Sequence, residues 1–286
     1  MAFKMKVAVG TSRRQYTERD PRLNKPVCHQ EFSGEDLAAE LLLQEADELR
    51  IDGKRALYFC PNNIGMLLTV SKTNAESARQ LYNCQLLPNL SNTPLNDVSH
   101  FEFRKLFSNS KLVCDFLQYV QISLVFGYTA LEAFANLSIP QNHSITKQTP
   151  KGIREIYDKN AIDRWISLKE KIKDILPGIY NAPAVKNQDW WPRFCRLEEM
   201  RHDIIHQKSI NHTELFEQYF KKSIFSICFC PEFVIKHFYK THLQNNKTNP
   251  IWPWLEGEEP VFPLNAVRDK NIFEHLDGND DSMDWI

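Results

Sequence analysis

One long apolar segment constrains the fold of this chain more than any other feature. Residues 111–137 are apolar around nearly the whole circumference of a helix. A helix without a polar face has to be covered by other elements, so this segment predicts the buried central helix of a bundle. Its most apolar part, residues 112–126, is interrupted by Asp115, Gln118 and Gln121. We therefore expect it to be too short and too polar to span a bilayer.

The composition is that of an ordinary globular protein, with 42% hydrophobic and 25% charged residues and a net charge of −1. RNA binding would therefore depend on a local basic patch. The seven cysteines form no Cys-x-x-Cys pair, which argues against a zinc ribbon and a disulfide framework. The N-terminus lacks the apolar run of a signal peptide. We expect a reduced, cytoplasmic protein with no membrane partner.

The residue patterns divide the chain into three parts. Residues 1–107 predict a smaller mixed α/β region of unknown role, residues 108–245 a helical domain, and residues 246–286 an acidic C-terminal tail rich in Pro and Trp. The predicted fold class is mainly α, with an antiparallel helical bundle after the mixed region. The N-terminal strands are predicted at residues 3–9, 55–60 and 66–70, and the helices at residues 34–50 and 75–87. The later helices are predicted at residues 111–137, 153–157, 162–175, 187–206, 211–230 and 233–242, with Pro140, Pro177 and Pro231 as helix ends.

The segment from Leu197 to His206 has the clearest potential for chemistry. Drawn as a helix, it has an apolar face made of Leu197, Met200, Ile204 and Ile205. Its polar face is made of Glu199, His202, Asp203 and His206. Arg201 falls in the middle of the apolar face, where an unpaired charge is costly. We predict that Arg201 pairs with Glu132, the only acidic residue in the C-terminal half of the apolar helix.

Two other interpretations of this segment stay open. The ion pair could be purely structural, with solvated histidines beside it. Alternatively, His202 and His206 are four residues apart, as in the His-Glu-x-x-His zinc proteases, which would give an HDxxH-type metal hydrolase. Asp203 is shorter than the usual Glu, and a third ligand is not evident, although His212 and His237 are candidates. We expect neither a metal nor a cofactor.

Three stretches of the chain resemble the HEPN superfamily. Residues 201–206 contain the Arg-x4-His pattern that is the signature of these domains, with His202 at a position that is often Asn, His or Asp in the family. Residues 130–136 are similar to an early family helix that carries a Glu and a nearby polar residue, here Glu132 and Asn136. Residues 165–172 are similar to the helix that follows. The order and spacing also fit, so the resemblance covers roughly residues 108–245.

The resemblance implies a metal-independent endoribonuclease, usually a homodimer whose two motifs meet across a twofold axis. The implied catalytic residues are Arg201, His206, His202, Glu132 and Asp203. Attack by the RNA 2′-OH needs only a proton carrier such as His and a guanidinium that stabilises the phosphorane. It leaves a 2′,3′-cyclic phosphate and a 5′-OH. On one continuous helix Arg201 and His206 point about 140° apart, which favours a site shared by two chains.

The resemblance also implies a biological setting. Many prokaryotic proteins of this superfamily are toxins or anti-phage effectors that cut tRNA or mRNA, and an antitoxin or another defence-system protein could be a partner. The alternative is a non-catalytic HEPN module for dimerisation or nucleotide binding. The presence of both Arg201 and His206 favours catalysis.

Some residues are candidates for RNA contact outside the motif. A basic cluster, Lys151, Arg154, Lys159 and Arg164, could follow the RNA backbone, with Asn136 as a further candidate. A solvated helix face is the alternative explanation for this cluster. Trp190 and Trp191 could stack on bases, but we expect them to anchor the core at a helix entrance.

Overall fold

The computed structural model describes residues 5–10, 19–33, 36–89, 103–148, 152, 154–206, 213–244 and 251–257. Within these residues the protein is mostly helical, with a small antiparallel sheet region. The predicted mainly α class is therefore confirmed at this level.

The chain divides into two compact units, and each draws on distant parts of the sequence. The first comprises Met1–Met66, Glu132–Ala184 and Ile235–Ile286, and the second comprises Leu67–Leu131 and Val185–Val234. The division at residues 107 and 245 that the sequence suggested stays a prediction.

A four-stranded antiparallel sheet forms the N-terminal part of the first unit. Its strands are β1 Met5–Gly10, β2 Val27–Ser33, β3 Asp36–Ile51 and β4 Lys54–Phe59. The long strand β3 pairs with each of the other three. Asp52 and Gly53, both with positive φ, join β3 to β4, the backbone that a tight two-residue hairpin requires. The strands predicted at residues 3–9 and 55–60 are confirmed.

The helix predicted at residues 34–50 is wrong, because this segment forms β3. Leu42 and Leu43 are both buried, although successive side chains of a strand point to opposite faces of the sheet. Burial on both faces produces a run of adjacent leucines, which resembles a helical pattern in sequence. The Asp52-Gly53 turn was the signal that favoured a hairpin.

The strand predicted at residues 66–70 is also wrong. These residues belong to helix α1, Asn63–Leu81. The side-chain oxygen of Asn62 accepts a hydrogen bond from the backbone N–H of Gly65 at 2.8 Å, as a helix N-cap does. A Cβ on Gly65 would lie 2.1 Å from the carbonyl oxygen of Pro21, so only glycine fits this close approach. A π-helical turn, Tyr82–Leu86, and the short α2, Leu87–Asn89, continue the helix.

The predicted central helix is confirmed as α3, Phe103–Ser138. In the second unit Phe116, Val120 and Leu124 are fully buried. Burial is not uniform around the helix, however, because Phe107 and Leu137 are largely exposed. Among the described residues, the stretch Leu106–Ser138 has the length and composition of a membrane-spanning helix, a test that core helices of soluble proteins also pass.

A hairpin and short helices follow α3 in the first unit. The hairpin consists of β5 Ile145–Gln148 and β6 Arg154–Tyr157, and the helices are α4 Lys159–Trp165, α5 Leu168–Glu170 and α6 Leu176–Tyr180, with a π-helical turn at Lys171–Ile175. The helix predicted at residues 153–157 is thus wrong, since most of that segment is β6. Pro177 does not end a helix as predicted. It lies in the first turn of α6, where its missing N–H costs nothing.

The remaining helices are α7 Trp191–Ile205, α8 Thr213–Tyr219, α9 Ser223–Cys228 and α10 Cys230–Gln244. The helix predicted at residues 187–206 is confirmed as α7. The single helix predicted at residues 211–230 is divided into α8 and α9, and Pro231 lies near the start of α10 instead of ending a helix.

The described part of the C-terminal tail is packed. In the first unit Trp252 is fully buried and its ring centroid lies 5.2 Å from that of Phe134, while Trp254 is also buried. These two tryptophans of the Trp-containing tail therefore pack its described part. Trp285, Asn211 and His212 lie outside the described residues.

Candidate active site

Helix α7 of the second unit carries the candidate site. Pro192 lies in its first turn, and the buried side chains of Leu197 and Met200 fix its inner face, where it packs against α9. The predicted apolar face is thus confirmed at these two positions. Ile205, the last helical residue, is 50% exposed, so the prediction that it belongs to a buried face is wrong.

Arg201 is half-buried in the second unit, in keeping with its predicted place on the inner side of α7. Its guanidinium carbon lies 5.0 Å from the ring centroid of Tyr128, a residue of α3 in the same unit. This is within cation–π range, so the aromatic face restrains the guanidinium. The Nε atom of Arg201 is buried, and no hydrogen-bond acceptor reaches it among the described residues. Tyr128 was not predicted as a site residue, because an aromatic residue inside an apolar helix is normally a core residue.

A pocket of about 490 Å³ opens beside Arg201. Its lining is strongly polar and contains both signs of charge. The lining residues are Tyr128, Arg196, Glu198, Glu199, Arg201, His202 and Asp203. An ion pair of 2.6 Å between Arg196 and Glu199 neutralises one charge of each sign at the rim. The rest of the lining places the guanidinium of Arg201 and the imidazole of His202 beside the carboxylates of Glu198 and Asp203.

His202 and His206 lie side by side at the solvent-exposed end of α7. Both are exposed, and their ring centroids are 4.6 Å apart. Glu199 and Asp203 are exposed as well, so the predicted polar face is confirmed. Two imidazoles at this separation can hold and exchange protons with a substrate or with water.

The direction predicted for His206 needs a correction. His206 is the C-cap of α7, with a φ of −111° and a ψ of 49°, and its backbone N–H donates to the carbonyl of His202 at 2.9 Å. The angle of about 140° from Arg201 assumes a helix that continues through residue 206. Because the helix ends at Ile205, that angle does not apply. The site shared by two chains, which was inferred from that angle, stays a prediction that the angle no longer supports.

Asp203 lies near Tyr219, a buried residue of α8 in the same unit. Burial raises the pKa of the Tyr219 hydroxyl to about 12, and the negative charge of Asp203 acts in the same direction. Gln121 and Arg196 act weakly in the opposite direction. The Tyr219 hydroxyl therefore remains protonated at neutral pH. Asp203 thus has an electrostatic link to the core of its unit in addition to its place on the pocket lining.

Glu132 and Asn136 belong to the first unit, where two buried lysines lie beside them. The Nζ of Lys159 donates to the backbone carbonyl of Asn136 at 2.6 Å, and the Nζ of Lys171 donates to its side-chain oxygen at 2.8 Å. Burial lowers the pKa of Lys171, while the charges of Asp163 and, more weakly, Glu132 oppose that shift. Asn136 thus has a structural role. Its contact with RNA, like the pairing of Glu132 with Arg201 across two units, stays a prediction.

The predicted basic cluster does not form one surface. Lys159 is buried and pairs with Asp163 at 2.6 Å, so its inclusion among RNA-facing residues is wrong. Arg154 and Arg164 are exposed, as an RNA-contacting role requires. Lys151 lies outside the described residues.

Of the two tryptophans considered for base stacking, Trp190 is buried and Trp191 is half-buried. The burial of Trp190 confirms that it anchors the core at the entrance of α7.

A metal site at the histidines would need a third ligand. Among the described residues, His, Cys, Asp and Glu form no group of three that could hold a metal ion. His212 lies outside those residues. His237 belongs to the first unit, where burial lowers its pKa and a ring nitrogen lies 3.4 Å from the carbonyl of Pro183.

No protein-family model matches the chain, and neither does any curated protein or solved structure. The resemblance to the HEPN superfamily rests on the motif residues alone.

Proposed function

We propose that this protein is a HEPN-type, metal-independent endoribonuclease that acts on tRNA or mRNA as a toxin or anti-phage effector. The observation that carries the proposal is the geometry at the end of α7. Two exposed imidazoles lie side by side next to a pocket that contains a guanidinium restrained by an aromatic ring. Acid–base groups and a fixed cation are what cleavage by an internal nucleophile requires.

The proposed reaction is a transesterification within the RNA. One imidazole of the pair His202 and His206 accepts the proton of the 2′-OH as the 2′-oxygen bonds to phosphorus. The bond between phosphorus and the 5′-oxygen breaks, and a protonated imidazole donates a proton to that oxygen. Arg201 stabilises the charge on the non-bridging oxygens by paired hydrogen bonds. The products are a 2′,3′-cyclic phosphate and a 5′-OH.

In this proposal Glu132 and Asp203 are positioning residues. Glu132 fixes the Arg201 guanidinium, and Asp203 supplies a carboxylate on the pocket lining beside His202. The helices around α3 and α7 form a HEPN-like bundle, and two copies form a homodimer in the cytoplasm.

The test is cleavage of total tRNA and of an mRNA transcript by the purified chain in EDTA. We expect cleavage without added metal and fragments that end in a 2′,3′-cyclic phosphate. His206→Ala should lose the activity, and His143→Ala, a histidine of the first unit outside the motif, should keep it. An absolute requirement for zinc or magnesium would contradict the proposal and favour the metal site at His202 and His206. RNA binding without cleavage would favour the non-catalytic module.

A further inference from the structure

A second pocket lies in the first unit, between strand β6 and helix α4. Its volume is about 690 Å³, and it shares no lining residue with the pocket beside Arg201. It is lined by Glu155, Ile156, Tyr157, Ala161 and Trp165. The proposed catalytic chemistry uses none of these residues.

The apolar part of this pocket is unusually exposed to solvent. Trp165 is 67% exposed and Ile156 is 76% exposed. A large aromatic ring beside an exposed aliphatic side chain indicates a surface that binds something flat and apolar on one face. The guanidinium carbon of Arg164 lies 4.9 Å from the Trp165 ring centroid, so a cation accompanies the ring.

The polar part of the pocket is a carboxylate that is held in place. The Tyr157 hydroxyl donates a hydrogen bond of 2.9 Å to Oε2 of Glu155, which raises the pKa of Tyr157. The described residues place no hydrogen bond on Oε1 of Glu155. A carboxylate anchored at one oxygen presents the other to N–H donors of a ligand.

Two exposed arginines lie next to lining residues of this pocket in the sequence. Arg154 of β6 precedes Glu155, and Arg164 of α4 precedes Trp165. The buried lysines of the same segment are not available to a ligand. Exposed cations beside an aromatic platform are typical of surfaces that bind single-stranded nucleic acid.

We propose that this pocket binds one unpaired base of single-stranded RNA, with guanine preferred. The base stacks on Trp165, and Arg154 and Arg164 contact the neighbouring phosphates. Oε1 of Glu155 accepts a hydrogen bond from the N1–H of guanine, and Oε2 accepts one from the N2 amino group with the lone pair that the Tyr157 hydroxyl does not use. Guanine alone among the four bases offers two adjacent N–H donors to one carboxylate. The inference rests on the proposed function in that this RNA is the substrate.

Binding is measured separately from cleavage. The full chain with His206→Ala is titrated into fluorescein-labelled RNA octamers that consist of uridines with a central G, A or U, and the anisotropy is recorded. We expect the G octamer to bind several-fold more tightly than the other two. Adding Trp165→Ala should weaken binding of all three at least about fivefold. Adding Glu155→Gln should reduce the preference for G and leave the affinity for the U octamer unchanged.

Matched controls use residues of the same kind elsewhere on the surface. Phe107→Ala removes an aromatic ring that is 71% exposed, and Glu76→Gln neutralises an exposed carboxylate. Neither should change the affinity for any octamer. Guanosine monophosphate at the concentration of the RNA should not displace the G octamer, because it lacks the neighbouring phosphates.

Three results would overturn the assignment. Unchanged RNA affinity of the Trp165→Ala chain would show that the pocket does not bind RNA. Full displacement by guanosine monophosphate would assign the pocket to a free nucleotide. Unchanged RNA affinity together with a Trp165→Ala chain that loses self-association in light scattering would assign it to a protein contact. If the wild type cleaves RNA but binding does not depend on Trp165, only the assignment of the pocket to RNA is wrong. If binding depends on Trp165 but no cleavage occurs, only the proposed ribonuclease activity is wrong.

Discussion

Titratable side chains of this protein occur in two very different surroundings. In the first unit, Lys159 and Lys171 are buried, and their ammonium groups donate to Asn136 and Asp163. In the second unit, His202 and His206 are exposed at the end of α7.

The difference separates structural from chemical roles. A buried ammonium must be surrounded by acceptors, since leaving it unpaired is costly, and a group whose hydrogen bonds are all internal has none left for a substrate. The exposed imidazoles carry no such constraint, so their ring nitrogens remain available to a ligand. Arg201 lies between these extremes, with one buried nitrogen and an aromatic contact. Substitutions in the two surroundings should therefore separate stability from activity.

The largest effect is expected for Arg201→Ala, which should lower both the stability of the fold and the rate of RNA cleavage. It removes the proposed phosphate-stabilising group, and loss of one such donor typically costs about 10²–10³ in rate. It also leaves the predicted partner Glu132 without its cation; because Arg201 and Glu132 are both half-buried, we expect a loss of roughly 1–3 kcal/mol instead of the full value for a buried pair. Thermal melts and RNA cleavage on the purified variant measure the two effects. A melting temperature equal to that of the wild type would show that Arg201 is not part of a buried ion pair.

Glu132→Gln tests the predicted pairing with Arg201 from the side of the carboxylate. It should fold, but with a less firmly held arginine and a cleavage rate between those of the wild type and Arg201→Ala. A cleavage rate equal to that of the wild type would contradict the positioning role of Glu132.

His206→Ala should reduce activity alone. The side chain is exposed at the helix C-cap, so its removal should hardly change the melting temperature. Loss of a general acid–base group typically costs about 10²–10⁴ in rate. Single-turnover cleavage and thermal melts on the same preparation check both expectations. If the rate is that of the wild type, the catalytic assignment of His206 is wrong.

Asp163→Asn should have the opposite effect to His206→Ala: it should lower the stability and leave the cleavage rate unchanged. It removes the carboxylate that pairs with the buried ammonium of Lys159 at 2.6 Å. Because Asp163 itself is partly exposed, we expect a loss of roughly 1–3 kcal/mol instead of the full value for a buried pair. Urea denaturation measures this, with Asp174→Asn as the control, since Asp174 pairs with the exposed end of Lys173. A folded Asp163→Asn protein with a much lower cleavage rate would show that the buried network does contribute to the chemistry.

The sequence predicted the elements whose signals are local and strong. The apolar length of α3 and the two-faced pattern of α7 were enough to place both helices. Periodicity also placed Glu199, Arg201, His202 and Asp203 of the pocket lining, but it did not indicate Arg196 or Glu198. Elements whose burial depends on distant partners could not be predicted in this way. Strand β3 buries leucines on both faces, a run that resembles a helical pattern, and only the Asp52-Gly53 turn after it favoured a hairpin.

The same reason explains which site residues were missed. Tyr128 contacts Arg201 across two helices that are more than sixty residues apart in sequence. Lys159 looked like a solvent-exposed cation. Its i,i+4 spacing from Asp163 is a local signal for their ion pair, but only the fold brings the carbonyl of Asn136 to its ammonium group. Contacts of this kind depend on tertiary packing, which periodicity does not encode.

The smallest effect is expected at Tyr128, which links the exposed chemistry of α7 to the packed helix α3. Tyr128→Leu keeps an apolar side chain of similar reach but removes the aromatic face that lies 5.0 Å from the Arg201 guanidinium. A cation–π contact is worth about 0.5–2 kcal/mol, so the cleavage rate should fall roughly threefold to thirtyfold, through a less precisely held arginine.

Tyr128→Phe is the matched control for that variant. It keeps the aromatic ring and removes only the hydroxyl, so it should cleave RNA within about twofold of the wild type. Cleavage rates for both variants, measured under single-turnover conditions, show whether the ring or the hydroxyl of Tyr128 acts on Arg201. Equal losses in Tyr128→Leu and Tyr128→Phe would show that the hydroxyl, not the ring, acts on Arg201. No loss in either would show that the guanidinium is held by other groups, and that the aromatic contact is packing without a role in the reaction.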